Sequence, residues 1–157
     1  CSILNKKGLK FHLDIVGNEK DISFDYLKKK INNLNLNSNV SVLGPMYSDS
    51  KNHIFYNSDI FVHPTHNDAF PLVLLEAMQF GIPIISTYEG AIAEIVDESN
   101  TGFLFPKKNI FKLAQKIEIL IKDKKKRLFM GQNGKKKFLE QYTLDIFEKD
   151  LIKILTK

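Results

Sequence analysis

Two carboxylates, Asp68 and Glu76, bracket the start of a helix-forming apolar run in Asp68-Ala-Phe-Pro-Leu-Val-Leu-Leu-Glu76-Ala-Met-Gln-Phe-Gly81-Ile-Pro83. The pattern predicts Asp68 on a turn, Pro71 inside the first turn of a helix and Glu76 deeper in it. A Gly-x-Pro stop then hands the chain to an apolar strand. A helix start offers unpaired N–H groups and a positive dipole end to an anion such as phosphate. Carboxylates accept hydrogen bonds from sugar hydroxyls, and bonds to a charged acceptor are the stronger kind. The arrangement suits a polyhydroxylated, diphosphate-bearing ligand.

Blander roles compete. Asp68 could serve as the helix N-cap, worth about 1 kcal/mol. Glu76 alone reads as a solvent-facing helix residue, yet Leu74, Leu75, Ala77 and Met78 around it are apolar, so its charge needs a reason. Pro71 removes one donor, which leaves the amide of Leu72 as the better phosphate-facing group. His63 and His66 stand three apart, but no third ligand accompanies them at convincing spacing, and no metal is expected. Cys1 supports no nucleophile.

The elements that must hold these groups alternate between strand and helix. Strands are expected at 11–16, 40–43, 60–62, 82–86 and 102–105. Helices are expected at 21–34, 51–58, 70–80, 91–96, 110–122, 124–138 and 144–155. Short, almost wholly apolar strands alternating with helices define an α/β fold: a doubly wound, Rossmann-like parallel sheet with helices on both faces. Ligands of such a sheet sit at the carboxyl ends of its strands. The loops that matter are therefore Gly17-Asn18-Glu19, Gly44 to Ser48, Pro64 to Phe70, and Ser86 to Gly90. The glycines in three of them, Gly17 included, allow close backbone approach to a ligand. No Gly-x-Gly-x-x-Gly follows the first strand, which argues against NAD, and no nucleoside-triphosphate loop is present.

Composition narrows the class. The 157 residues are 43% hydrophobic and 26% charged, ordinary for one globular domain. No apolar run approaches the roughly 20 residues needed to cross a bilayer, and no secretory leader is visible at the start. A single cysteine excludes an internal disulfide and fits a reducing, cytoplasmic compartment. Since the first residue is Cys rather than Met, the natural start is expected upstream. Lysine clusters at 28–30, 124–126 and 135–137 contribute to a formal charge of +5. They read mainly as solvated helix faces, with weak contact to an anionic membrane surface left open. Nucleic acid is rejected, because aromatic residues are not interleaved with them.

The stretch Asn67-Asp68-Ala-Phe-Pro-Leu-Val-Leu-Leu-Glu76-Ala-Met-Gln-Phe-Gly81-Ile-Pro83-Ile-Ile-Ser-Thr-Tyr-Glu89-Gly90 resembles the signature of retaining GT-B glycosyltransferases of family 4, the glycosyl transferases group 1. The likeness extends upstream through Phe11 to Gly17, Val40 to Gly44 and Ser58-Asp59. Downstream it runs through Glu94-Ile-Val and Thr101-Gly-Phe-Leu-Phe. It implies one half of a GT-B fold: the C-terminal domain, 1–157, of an enzyme whose own N-terminal domain would carry the acceptor. That enzyme would move a sugar from a UDP- or GDP-sugar to a hydroxyl acceptor with retention, in polysaccharide or glycolipid synthesis, with no further cofactor. The fragment alone would bind but not catalyse.

The same resemblance assigns roles. Glu76 would bind the ribose hydroxyls and Asp68 those of the donor sugar; these two are the expected catalytic-site carboxylates. Phe70, Pro71 and Leu72 would approach sugar and diphosphate through their backbone, and His66 would border the sugar pocket. Pro45, Met46, Tyr47 and Ser48 would hold the base. Three features depart from the family pattern. Asp68 stands where Glu is usual, Gly90-Ala91-Ile92-Ala93-Glu94 replaces Gly-Gly-x-Pro-Glu, and the basic Arg/Lys pair that neutralises the diphosphate would lie upstream of Cys1. The Asp68, Ala91 and Ala93 departures lend support to a second reading, a sugar-nucleotide-binding module without activity, and the upstream Arg and Lys would separate the two. A third reading is a Rossmann-like domain that binds no nucleotide.

Overall fold

The computed structural model describes residues 1–156. The chain divides into two compact units, the first spanning Cys1–Tyr56 and the second beginning at Asn57. In the first, helix α1 (Ser2–Lys6) precedes β1 (Leu13–Val16), α2 (Phe24–Asn33), β2 (Val40–Gly44) and α3 (Ser48–Tyr56). β1 and β2 pair in parallel, with Leu13 opposite Val40 and Val16 opposite Gly44. Ser23 caps α2 by accepting from the Tyr26 amide, 3.2 Å. Leu4, Leu36, Val40 and Phe55 are the unit's buried apolar residues.

The second unit holds β3 (Phe61–His63), α4 (Leu72–Gln79), β4 (Ile84–Thr87), α5 (Ile92–Ile95) and β5 (Gly102–Phe105). Helices α6 (Ile110–Lys122), α7 (Lys124–Gln141) and α8 (Leu144–Leu155) follow. Its sheet is parallel in the order β3-β4-β5. Every residue of β4 and of β5 is buried, as a strand covered on both faces requires. Ile85, Phe103, Phe105, Leu120 and Met130 form the core, with Leu113 and Ile117 of α6 against it. The α/β class with parallel sheets flanked by helices is the one expected, and strand pairing falls into two such sheets.

Helix α1 is not among the expected elements, and β1, α2, β3 and α5 start one to three residues later than expected. Three further starts have a bearing on the site. α4 begins at Leu72, with Pro71 as its N-cap at φ −74° and ψ 101°; the ring locks φ, and the extended ψ keeps Pro71 outside the first turn. α3 begins at Ser48 rather than Lys51, and β4 at Ile84 rather than Ile82. Pro83 has no N–H to give to a ladder, although its carbonyl accepts from Phe61, 3.0 Å.

The Gly-x-Pro stop has a clear physical basis. Gly81 has φ 71°, and its amide bonds Met78 O at 2.9 Å while Ile82 N bonds Ala77 O at 3.1 Å. These two bonds form a Schellman C-cap, which favours glycine at its left-handed position. Gly131 of α7 lies against the Gly81 carbonyl, where a Cβ would overlap it. α7 therefore packs onto the end of α4 at a glycine contact.

Candidate functional site

The motif loop runs from His63 to Pro71, leaving the carboxyl end of β3. Two buried hydroxyls of β4 hold its first half: Ser86 Oγ donates to His63 O, 2.8 Å, and Thr87 Oγ1 donates to Thr65 O, 2.9 Å. The second half is held by the turn after β4. Ala91 N donates to Ala69 O at 2.9 Å. Gly90, at φ 51°, packs so closely that a Cβ would overlap the carbonyl oxygens of Asp68 and Ala69. Asp68 is thus placed by its backbone, and its half-buried carboxylate does not cap α4, which has no side-chain cap. The capping role considered for Asp68 is corrected: three residues, the extended Pro71 among them, separate it from the first turn.

Asp68 has a neighbour that spacing did not announce. His63 Nε2 lies 3.8 Å from Asp68 Oδ2, and His63 Nδ1 is buried with no hydrogen-bond partner. Burial holds the His63 pKa below its ordinary value, and the Asp68 charge opposes this only in part. The imidazole is therefore biased toward its neutral form, a polar wall beside the carboxylate. His66 and Phe70 are exposed on the same loop. Among the described residues, no three His, Cys, Asp or Glu side chains group as metal ligands would.

The start of α4 follows. Leu74 N donates to Pro71 O, 3.0 Å, leaving the amides of Leu72 and Val73 ahead of the first helical bond. Leu74, Ala77 and Met78 face the core. Glu76 is half-buried and lies one turn along from the exposed Leu72 on the same face. A rise of about 1.5 Å per residue puts the two Cα atoms about 6 Å apart along the axis. His66, Asp68, Phe70, Pro71, Leu72 and Glu76 thus belong to one loop and one helix face. Two clefts of the second unit lie elsewhere, one at Asp59, Pro83 and Arg127, the other at Asp97, Asn133 and Lys137.

The remaining candidates lie in the first unit and come together there. Gly17, at φ 147°, donates to Gly44 O, 3.0 Å, joining the ends of β1 and β2. Asn18 Nδ2 donates to Tyr47 Oη, 3.3 Å. Ser50 and Tyr47 bond reciprocally: Oγ to the Tyr47 carbonyl at 2.7 Å, and the Tyr47 amide to Oγ at 3.3 Å. Pro45, Met46 and the exposed Tyr47 form the connection, while Ser48 at φ 47° opens α3. Asn18 and Ser50 were not singled out from sequence; Asn18 was visible only as the residue after Gly17.

A parallel α/β unit with one carboxylate on the loop at the strands' carboxyl edge and a second on the following helix has its polar groups where α/β sheets of this class hold ligands. The match to known proteins is specific within that class. Residues 1–137 match the family profile described as glycosyl transferases group 1, and the chain belongs to that family. It is 35% identical over 98 residues to the capsular polysaccharide biosynthesis glycosyltransferase CapM of Staphylococcus aureus, covering 62% of this chain and 26% of CapM. Its fold resembles that of HepE of Anabaena, solved in complex with UDP: TM-score 0.84, 23% identity, 93% of this chain and 41% of that one. It also resembles the C-terminal domain of the group 1 glycosyltransferase LpcC of Francisella tularensis: TM-score 0.69, 23% identity, 89% of this chain and 91% of that one. The chain spans well under half the length of the curated relatives it matches.

Proposed function

We propose that this chain is the donor-binding, C-terminal domain of a retaining glycosyltransferase that moves a sugar from a nucleoside diphosphate to a hydroxyl acceptor. The observation that carries the reading is the Gly90 clamp on the Asp68–Ala69 backbone. It fixes one carboxylate at the mouth of a helix whose free amides and second carboxylate, Glu76, share a face. Glu76 takes the ribose diol, Asp68 takes hydroxyls of the sugar, and the Leu72 amide faces the diphosphate; the backbone of Phe70 and Pro71 and the side of His66 line the approach.

Departure of the nucleoside diphosphate is assisted by electrostatic stabilisation of its growing charge, to which the α4 amides contribute. The acceptor and the basic pair for the diphosphate belong to chain outside these residues, so this domain binds donor without turning it over. The family match and the UDP complex of HepE support a nucleotide sugar, and the likeness to CapM supports a polysaccharide product. Work on a polysaccharide or glycolipid at the cytoplasmic face of a membrane is part of the same proposal. No helix among the described residues is long and apolar enough to cross one.

Calorimetry with UDP and GDP tests the reading. Glu76→Ala should weaken the preferred nucleotide about tenfold or more, the value of charge-assisted hydrogen bonds to a diol. Unchanged affinity would remove the ribose assignment. The replacement of the second glycine and the proline by Ala91 and Ala93 favours one alternative, a binding module without activity. Transfer by the complete protein separates the two.

A further inference from the structure

The carboxyl edge of β4 and β5 also carries a cluster to which the proposed donor contacts assign no role. Thr87 pairs with Phe105 at the ends of these strands, so Tyr88 and the 106–108 turn emerge side by side. The Glu89–Lys107 ion pair, 2.9 Å, ties them together. Ile110 and Phe111 follow at the first turn of α6, and Lys108 and Lys112 flank them, both exposed. Tyr88, Ile110 and Phe111 are 55%, 62% and 72% exposed. Phe111 is not a misplaced core residue. α6 turns Leu113, Ala114, Ile117 and Leu120 inward, and Phe111 shares its outward face with Gln115, Glu118 and Lys122.

We propose that this edge is a membrane-contacting surface, with Phe111, Ile110 and Tyr88 entering the headgroup region and Lys107, Lys108 and Lys112 facing anionic phosphates. An apolar tip ringed by lysines is complementary to an anionic bilayer, whose surface attracts each nearby lysine and whose interface accepts aromatic rings. The cluster sets three lysines against one carboxylate. The longer apolar face of α8 has no such bias: Asp145, Glu148 and Asp150 outnumber Lys149 and Lys153 there. Lys108 also holds φ 64°, a conformation that glycine would occupy at less cost. This surface deepens the membrane-face reading above and does not depend on nucleotide binding.

Flotation of the full chain with phosphatidylcholine vesicles, with and without about a third phosphatidylglycerol, tests it. Partition is expected only with the anionic lipid. Lys108→Gly should lower it about fivefold, the share of one lysine near such a surface, without loss of fold because the left-handed backbone is eased. Phe111→Ser should lower it about tenfold, as expected for partial burial of a phenyl ring. Phe147→Ser on α8 should leave it unchanged. No flotation with anionic vesicles, insensitivity to both edge variants, or loss confined to Phe147→Ser would overturn the proposal. UDP calorimetry on the same samples reports separately on the donor site.

Discussion

Gly90 is pressed against the carbonyl oxygen of Asp68 in a backbone conformation that side-chain-bearing residues rarely adopt. The turn after β4 and the loop after β3 therefore meet main chain to main chain, and any Cβ at position 90 must push Asp68 away. Gly90→Ala should cost about 1–3 kcal/mol in urea unfolding, from strain and overlap together. UDP-sugar affinity should fall with it, since the shift acts on the loop bearing Asp68. Full retention of both would mean that the loop is not held from this side.

Two glycines on α7 should answer alanine with opposite signs. Alanine improves helix propensity by about 1 kcal/mol at either site. At Gly134 the new Cβ would sit 3.6 Å from Met78 Cγ, ordinary contact, so Gly134→Ala should stabilise by about 0.5–1 kcal/mol. At Gly131 it would strike the Gly81 carbonyl, and this backbone oxygen is fixed by the C-cap of α4. Gly131→Ala should destabilise by about 1–3 kcal/mol. Parallel thermal melts of the two variants check the pair.

Much of this architecture is legible in sequence because the signals are local. β5 and α6 occupy the residues expected of them: Gly102 opens an apolar run, and Asn109 caps the helix by accepting from Lys112 N, 3.0 Å. Pro71 misled for a local reason too, since proline suits both the first helical turn and the extended position before it, and only ψ separates them. The approach of His63 to Asp68 and the Gly90 contact are different. Both follow from the register that sets His63 beside Ser86, and no spacing within one segment encodes a register between two. The family resemblance supplied the proposed roles of Asp68 and Glu76; geometry supplied what holds the loop that carries Asp68.

His63 makes stability depend on pH with a definite sign. Its folded pKa lies below the ordinary value of 6.5, chiefly from burial. Between the folded value and about 6.5 the unfolded chain therefore binds more protons. The stability tied to neutral His63 is complete above about 6.5 and is lost as pH falls toward the folded pKa. Urea unfolding of wild type and His63→Gln across this range should show a slope in the wild type that the variant lacks. Asp68→Asn should steepen the slope, because the one charge opposing the shift is gone. A slope of the reverse sign would mean that the Asp68 charge, not burial, governs this histidine.

Two lysine–carboxylate pairs of similar length should differ in worth because their surroundings differ. Lys137 Nζ, 12% exposed, bonds Asp97 Oδ1 at 2.7 Å and the Glu94 carbonyl at 2.6 Å, pinning α7 to the end of α5. Lys107 pairs with Glu89 at 2.9 Å but is 52% exposed. The Lys107 ammonium is already largely in water and makes this one contact in place of hydration, so Lys107→Met should cost less than about 1 kcal/mol and vanish in high salt. At Lys137, replacement strips a charge-assisted bond from the Glu94 carbonyl, to which the Tyr142 hydroxyl donates over a longer 3.4 Å. Lys137→Met should therefore cost about 1–3 kcal/mol, with weak salt dependence. Urea titrations of both variants at low and high salt would expose an inverted ranking, which would mean that α7 is anchored by its glycine contacts alone.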